Sequence, residues 1–294
     1  MNKQNPIFKP VAAPQHAWFS ALVPILTQAN HILREEYQQY CDGYRFQILS
    51  KGDDSPVTQA DLRVNQYLMQ AIAELTPQIP ILSEESDYSQ RMHWSKCWLL
   101  DPLDGTREFI QKRDKFTINL SLIDQYQTVF SAIAVPHEQV MYFADDIHLP
   151  YKYDVEQQQW FQYDPSAKPQ RDFLRIATSH GSCGQAYHHY IEHIKQTQPV
   201  ECVQAGSAYK FCMMLEDLID LYPRFHPTAE WDTSAGQGLL EQIGGGLLAL
   251  NAKPFLYNQR PTLLNNGFIA VTDAKLFALA FDALAHVSFD DCGE

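Results

Sequence analysis

The sequence has few basic residues for its number of acidic ones. It contains 22 Lys and Arg against 35 Asp and Glu, a formal net charge of −13 at pH 7. Such an excess of negative charge argues against nucleic-acid binding or strong membrane binding as the main activity. No apolar run is long enough to span a membrane, and residues Met1–Pro6 contain no apolar secretion core. These absences predict a cytoplasmic protein and leave open a peripheral contact with the inner membrane face.

Patterns that form disulfide frameworks or zinc sites are also missing. The eleven histidines form neither a HExxH nor a HxH pattern, which disfavours a zinc enzyme. The cysteines show no CxxC pair and lie at Cys41, Cys97, Cys183, Cys202, Cys212 and Cys292. We therefore expect most of them to be small core residues in a reducing compartment.

Nothing in the sequence separates one domain from another. The 294 residues contain no low-complexity tract, internal repeat or Gly/Ser-rich linker, so residues 1–294 are expected to form one continuous unit. Two lobes are predicted within it, an α+β lobe over residues 1–150 and an α/β lobe over residues 171–294. The active site is expected between them.

Hydrophobic periodicity gives the predicted elements of the first lobe. One amphipathic helix spans Trp18 to Leu33, and a second starts after Thr58 and ends near Pro77. The strands that follow are Ile79–Leu82, Cys97–Leu100, Phe116–Ile123, Thr128–Val135 and Val140–Phe143, with the last three in an antiparallel meander. Beyond them, Tyr151–Tyr163 is predicted as an exposed hairpin and Pro165–Arg171 as a surface link.

Strands and helices alternate in the second lobe. The predicted strands are Leu174–Ala177, Val200–Val203, Ile219–Tyr222 and Phe268–Val271. The predicted helices are Gly184–Gln196, Ser207–Glu216, Thr233–Ile243, with Gly244 and Gly245 as its cap, and Lys275–His286.

The segment Asp101–Thr106 is the strongest candidate for chemistry. It follows the buried strand Cys97–Leu100, which proline and glycine are expected to end, so that Asp101 and Asp104 lie in a turn and point to one place. Two carboxylates at such a short distance repel each other unless a cation lies between them. Mg²⁺ takes oxygen ligands of this kind. Backbone N–H groups after Gly105, ahead of a short helix over Arg107–Ile110, suit an anion. The alternative is ordinary β-turn chemistry.

Two further acidic positions lie at predicted element ends. Glu84 and Glu85 follow the strand Ile79–Leu82, and either could be a solvated acid at a strand end. Asp232 opens a predicted helix, where an aspartate commonly caps free N–H groups. The small residues that follow Trp231 and Asp232 would allow a close approach of the backbone.

The chain carries two motifs that resemble those of the lithium-sensitive, magnesium-dependent phosphatases, which include the inositol monophosphatases and fructose-1,6-bisphosphatases. They are D-P-[IL]-D-G-[ST], matched by Asp101–Thr106, and W-D-x-[SA]-[AG]-G, matched by Trp231–Gly236. The segments 51–61, 206–211 and 221–236 are similar to those of bacterial 3′(2′),5′-bisphosphate nucleotidases of the CysQ type. This resemblance implies a layered αβαβα sandwich that mixes α+β and α/β parts.

The resemblance also implies the metal site. Two or three Mg²⁺ ions would be bound by the carboxylates of Glu84, Asp101, Asp104 and Asp232 and by the backbone carbonyl of Leu103. Glu85 would stand behind these ligands. Bound cations would reconcile the acidic chain with a phosphate substrate, because they invert the local field.

A catalytic pair is implied by the same resemblance. Asp61 and Thr106 together would orient and deprotonate the attacking water, since a threonine alone is a poor base at neutral pH. Both residues have structural alternatives. Thr58 and Asp61 resemble a helix capping box, and Thr106 could be an N-cap.

The implied substrate pocket is larger. Its residues would bind the phosphates and the adenosine of the substrate, and they are Gly105, Thr106, Ser179, His180, Gly206, Ser207, Lys210, Arg224 and Asp232. Arginine suits bidentate phosphate recognition and lysine provides a point charge. The alternatives are a solvated Lys210 and a structural salt bridge at Arg224. Lys112, Arg113 and Lys115 are expected in a solvated loop.

Two other cation-dependent classes fit badly. Phosphatases of the haloacid dehalogenase type use D-x-D, whereas the spacing here is D-x-x-D. An EF-hand loop needs oxygen side chains where Leu103 and Gly105 stand.

The predicted function is therefore Mg²⁺-dependent removal of the 3′-phosphate from adenosine 3′,5′-bisphosphate, a nucleotide of sulfur assimilation. Adenylyl sulfate 3′-phosphate is a second possible substrate. The alternatives are an inositol phosphatase and a non-catalytic metal- or phosphate-sensing protein. The sequence does not predict the oligomeric state.

Overall fold

The computed structural model describes residues 7–44, 48–50, 56–87, 89–179 and 184–287. Seven α-helices occur in these ranges: α1 (Ala17–Cys41), α2 (Gln59–Leu75), α3 (Thr106–Ile110), α4 (Gln185–Lys195), α5 (Tyr209–Leu215), α6 (Ser234–Glu241) and α7 (Leu276–Ala285). Within the same ranges, no helix combines the length and the apolar character needed to cross a bilayer.

The first ten strands are β1 (Phe8–Val11), β2 (Ile48–Ser50), β3 (Pro56–Thr58), β4 (Ile81–Ser83), β5 (Lys96–Asp104), β6 (Thr117–Asp124), β7 (Gln127–Val135), β8 (Val140–Asp145), β9 (Tyr151–Asp154) and β10 (Gln159–Tyr163). The remaining ones are β11 (Leu174–Thr178), β12 (Val200–Gln204), β13 (Leu221–Arg224), β14 (Thr228–Ala229), β15 (Gly246–Ala249), β16 (Leu264–Asn265) and β17 (Phe268–Val271).

An eight-stranded sheet forms the first half of the molecule, in the order β1-β10-β9-β8-β7-β6-β5-β4. Its strands pair antiparallel except β4 and β5, which run parallel. The predicted meander is confirmed as β6, β7 and β8. The predicted hairpin is confirmed as β9 and β10, but its exposure was wrong. It continues the sheet, and two of its side chains are buried: Trp160 packs against Phe19 of α1, and Tyr163 packs against Phe8 of β1.

A five-stranded sheet forms the second half, in the order β12-β11-β13-β17-β15. The strands β12, β11 and β13 are parallel, as expected for alternating strands and helices. The strand β17 runs antiparallel to both β13 and β15.

Three apolar clusters show how the two sheets are layered. The first lies between α1, α2 and one face of the eight-stranded sheet. The second holds α5 and α6 between that sheet's other face and the five-stranded sheet. The third lies under α4 and α7 on the outer face of the five-stranded sheet. The predicted αβαβα sandwich is confirmed.

Strand β5 shows why the chain packs on both sides. Side chains alternate between the faces of a strand, so Trp98 and Leu100 point to α1 and α2, whereas Cys97 and Leu99 point to the middle helices. Because α5 and α6 contact both sheets, residues of both predicted lobes share one core. The division at residues 150 and 171 stays a prediction, although the eight-stranded sheet itself extends to Tyr163.

Candidate active site

Strand β5 carries Asp101 and Asp104 to the edge of the middle layer. The strand does not end after Leu100, so the predicted turn over both aspartates was wrong. Pairing with β6 continues from Asp101 to Asp104 through an irregular register. Pro102 lies in this irregularity, where a missing N–H costs no ladder hydrogen bond. Gly105, with a φ of 99°, then ends the strand and leads into α3.

Asp232 joins these two aspartates from a distant part of the chain. Carboxylate oxygens of Asp101, Asp104 and Asp232 all lie within 4.8 Å of one another. The 3-10 turn Glu230–Asp232 brings the third carboxylate there. Asp232 does not cap α6, whose N-cap is Thr233, so that alternative was wrong.

Hydrogen bonds orient each of the three carboxylates. Asp101 accepts the N–H of Leu103 at 3.0 Å, and Asp232 accepts the N–H of Ala229 at 3.2 Å. Oδ2 of Asp104 accepts Nδ2 of Asn119 at 3.3 Å. The oxygens not engaged in these contacts can turn towards a common point.

The electrostatics of this cluster suit a cation. Burial, followed by the charges of Glu84, Asp104 and Asp232, raises the pKa of Asp101 well above its ordinary value. Burial and the charge of Asp232 raise the pKa of Asp104 to about 7. Clustered buried carboxylates are costly without a counter-charge, and a hard divalent cation with oxygen ligands would supply it. The residues present therefore fit a divalent metal site.

Glu84 and Leu103 stand beside the cluster. The N–H of Glu84 donates to the carbonyl of Leu100 at 3.1 Å, which places it next to β5. Its side chain is half-buried and hydrogen-bonds Asp101. Glu85 is also half-buried, and its N–H donates to Ser83 Oγ at 3.4 Å. The carbonyl of Leu103 accepts the hydroxyl of Thr106 at 3.3 Å.

Asp61 and Thr106 are in direct contact. The hydroxyl of Thr106 donates to Oδ1 of Asp61 at 2.9 Å. Oδ2 of Asp61 accepts the N–H of Thr58 at 2.8 Å and its hydroxyl at 2.6 Å, which completes the predicted capping box of α2. Thr106 is the first residue of α3 and Gly105 is its N-cap, so the alternative that Thr106 caps the helix was wrong.

The start of α5 closes over the same end of β5. Ser207 has a φ of 46°, a left-handed conformation, and its hydroxyl donates to the carbonyl of Lys115 at 2.9 Å. The next N–H, of Ala208, donates to Oδ2 of Asp104. A side chain at Gly206 would meet Glu108, with 2.5 Å from its Cβ to Oε1. Glycine at this position leaves room for the Glu108 side chain next to the loop.

Two cations, Lys210 and Arg224, both interact with Tyr222. Nζ of Lys210 is 4.8 Å from the centre of the Tyr222 ring and 3.5 Å from the carbonyl of Ser207. The guanidinium of Arg224 donates to the carbonyl of Pro227 at 3.2 Å. Burial alone lowers the pKa of Arg224, but the charges of Tyr222, Asp232 and Asp104 outweigh it and raise that pKa.

Neither cation forms an ion pair with a carboxylate in the part of the chain that the structure describes. Lys210 is only 3% exposed, so the alternative of a solvated lysine was wrong. The predicted salt bridge at Arg224 is likewise not found among the described residues. Lys115 was expected in a solvated loop, but it pairs with Glu138 at 2.7 Å. A buried cation without a carboxylate partner favours binding of an anion.

Other residues of the predicted pocket are less informative. Ser179 is exposed at the end of β11, and His180 lies outside the described residues. Sequence reasoning missed Ala208, Asn119 and the contact of Tyr222 with both cations. Ala208 and Tyr222 lie within segments 206–211 and 221–236, which carry the family resemblance, whereas nothing in the sequence indicated Asn119.

Comparison with known proteins identifies relatives over most of the chain. A 3′(2′),5′-bisphosphate nucleotidase CysQ of Escherichia coli K12 is 35% identical over 233 residues, 78% of this chain and 91% of the relative. That of Aggregatibacter actinomycetemcomitans is 33% identical over 252 residues, 84% of this chain and 90% of the relative. The crystal structure of CysQ from Bacteroides thetaiotaomicron has a TM-score of 0.73 and 28% identity, and covers 86% of this chain and 96% of its own.

A match to the inositol monophosphatase family spans residues 15–283, nearly the whole described chain. The same layered fold recurs at low identity in an IMPase of Thermotoga maritima, with a TM-score of 0.70, 16% identity, and coverage of 91% of this chain and 95% of that one. The acidic cluster, the fold and the match over these residues agree, and the chain belongs to the inositol monophosphatase family.

Proposed function

We propose that this chain is a 3′(2′),5′-bisphosphate nucleotidase that hydrolyses adenosine 3′,5′-bisphosphate to AMP and phosphate. The observation that carries the proposal is the meeting of three elements at one place. These are the three-aspartate cluster, the hydrogen-bonded pair of Asp61 and Thr106, and the cations Lys210 and Arg224, which form no ion pair with any described carboxylate. Relatives at 32–35% identity with this name support it.

The metal sites would be formed by Glu84, Asp101, Asp104, Asp232 and the carbonyl of Leu103, with two or three Mg²⁺ ions. Magnesium bound by these oxygens would neutralise charge on the phosphoryl group and acidify a water. In each aspartate, one carboxylate oxygen accepts a hydrogen bond from the protein. This contact fixes the orientation of the carboxylate and hence the direction of its other oxygen. Because these ligands would already be oriented, the site would need little reorganisation when phosphate binds.

Asp61 and Thr106 would place the attacking water and take its proton. The Thr106 hydroxyl donates to Asp61, which leaves the lone pairs of Thr106 Oγ1 to accept a hydrogen bond from water. Burial raises the pKa of Asp61, while hydrogen bonds from Thr58 and Thr106 lower it in part. The net upward direction makes Asp61 a better proton acceptor than an exposed aspartate.

Lys210 and Arg224 would select the second phosphate. Both lie beside Tyr222 and near the aspartates, so an anion could bind them while a second phosphoryl group faces the metal ligands. Gly105, Gly206 and Ser207 would present backbone to the reacting phosphate. Ser179, which is exposed, would contact the nucleoside part together with His180.

The setting proposed for this reaction is sulfur assimilation, with adenylyl sulfate 3′-phosphate as a second substrate. The test is phosphate release from adenosine 3′,5′-bisphosphate and from inositol 1-phosphate, each with and without Mg²⁺. We expect Mg²⁺-dependent release from the nucleotide and much slower release from the inositol phosphate. Equal or faster release from inositol 1-phosphate would assign the chain to the inositol phosphatases instead.

A further inference from the structure

A second group of metal-binding side chains lies in the outer helical layer, away from the aspartates. His193 belongs to the last turn of α4, Asp282 lies in α7, and His286 follows the end of α7. One nitrogen or oxygen of each lies within 4.8 Å of the others. Nε2 of His193 is 3.1 Å from Oδ2 of Asp282.

The packing beneath fixes the backbone at two of these residues. Buried Tyr190, Ile191 and Ile194 of α4 pack against Ala283 and Leu284 of α7. His193 and Asp282 are chain neighbours of these core residues, so their backbones are fixed by the same contacts. Their side chains meet on the solvent side of the helix pair, where a bound ion could complete its shell with water.

The donor set differs in kind from the active-site cluster. Two imidazole nitrogens and one carboxylate oxygen suit Zn²⁺ and similar transition-metal ions, whereas Mg²⁺ prefers oxygen ligands throughout. Both imidazoles also stand at helix C-termini, where the aligned carbonyl groups favour positive charge.

We propose that His193, Asp282 and His286 form a binding site for a transition-metal dication such as Zn²⁺, which ties α4 to α7. The two imidazole rings are stacked, with 4.2 Å between their centres and 18° between their planes. Parallel rings cannot both direct a nitrogen at one ion, so binding requires the ring of His286 to turn. His286 is exposed and lies just past the last helical residue, which allows that rotation.

The experiment measures zinc bound per chain after equilibrium dialysis in excess Mg²⁺, which competes with zinc for the oxygen-only cluster. The variants are His193→Ala and His286→Ala, with His189→Ala as the matched control. His189 is an exposed histidine of the same helix outside the proposed set. We expect the unmodified protein and the control to bind one zinc ion per chain more than either test variant. Zinc held by thiols would contribute equally to all four.

A second measurement identifies the ligands directly. Cu²⁺ at this site should give nitrogen superhyperfine splitting in the electron paramagnetic resonance spectrum, which an all-oxygen site cannot produce. We expect the splitting in the unmodified protein and in His189→Ala, and its loss in the double variant of His193 and His286. Unchanged zinc content in either single variant, or unchanged splitting in the double variant, would overturn the proposal.

Discussion

The two oxygens of Asp61 have separate partners. Oδ2 accepts both the N–H and the hydroxyl of Thr58 at the start of α2, whereas Oδ1 accepts the hydroxyl of Thr106. One carboxylate therefore caps the helix and also contacts the other member of the proposed catalytic pair. The cap contact uses Oδ2 and leaves Oδ1 to Thr106, so helix stability and the proposed catalysis depend on different oxygens of one residue.

Asp104→Asn and Thr106→Ala should fail in different ways. The first removes a proposed anionic ligand, so Mg²⁺ affinity and rate should fall together. The second leaves the acidic cluster unchanged, so Mg²⁺ binding should persist while kcat falls on the order of 10²-fold. Calorimetric Mg²⁺ titration with steady-state kinetics checks both variants. Equal loss of Mg²⁺ affinity in the two would mean that Thr106 is structural.

Arg224→Ala should weaken selection for the second phosphate. A charge-assisted hydrogen bond contributes about 1.5–3 kcal/mol, so KM for adenosine 3′,5′-bisphosphate should rise roughly tenfold to a hundredfold, with little change for 3′-AMP. Lys253→Ala, at an exposed lysine, is the control and should alter neither KM. If both substrates lose efficiency equally, Arg224 supports the fold and does not select substrate.

Residue chemistry could be anticipated where the partners are close in sequence. The capping box of Thr58 and Asp61 follows from their spacing and is confirmed. The burial of Lys210 could not be predicted, because it depends on a ring from β13. The N-cap alternative for Thr106 failed because Gly105 adopts a positive φ and takes that position.

The segment that starts α5 connects several parts of the site. Its Ala208 contacts Asp104, and its Tyr209 donates its hydroxyl to Glu138, which also pairs with Lys115. The backbone carbonyl of Lys115 in turn accepts a hydrogen bond from the hydroxyl of Ser207. Glu138 touches none of the aspartates in the described contacts, but it contacts both Tyr209 of this segment and Lys115.

Glu138→Ala should therefore reduce catalysis without removing a reacting group. We expect kcat/KM to fall roughly tenfold to a hundredfold, because small misplacements at a reacting centre cost this much. Mg²⁺ affinity should change far less than it does in Asp104→Asn. The matched control is Glu192→Ala, which removes an exposed carboxylate paired with Lys195. Unaltered kinetics in Glu138→Ala would contradict the positioning role.

Thr58→Ala should affect the helix more than the reaction. Loss of an N-cap costs about 0.5–2 kcal/mol in the free energy of unfolding, while Thr106 still holds Oδ1 of Asp61. Urea denaturation and kinetics of the same variant test this separation. Thr58→Ser keeps the hydroxyl and should retain most of the stability. A loss of kcat as large as that of Thr106→Ala would show that the cap itself orients the base.

At the scale of elements, the long periodic segments were predictable and the short edge strands were not. The strand β1 has four residues, includes Pro10, and pairs with β10 from a distant part of the chain. The strand β15 begins at Gly246, in a stretch that resembles a helix cap. Proline and glycine obscured both, and only pairing in the sheet defines them.

The whole molecule is strongly acidic, and its activity should depend on divalent cations. Treatment with EDTA should abolish phosphate release, and Mg²⁺ should restore it. Mg²⁺ should also raise the melting temperature, because it binds the folded state preferentially, and Asp104→Asn should reduce that rise. The family resemblance adds inhibition by Li⁺ and poor replacement by Ca²⁺. Full activity in a verified metal-free preparation would contradict the proposed metal-dependent mechanism.

The middle helices α5 and α6 have apolar neighbours in both sheets, and this bears on how the molecule would respond to being cut. A protease that cleaved the exposed stretch around Gln170 and Arg171 would sever the chain without separating the pieces. Denaturing electrophoresis would then show two fragments, whereas size-exclusion chromatography would show a single species of unchanged size. Expressed separately, each piece would expose the apolar surface that the other normally covers, and would precipitate unless its complement were supplied.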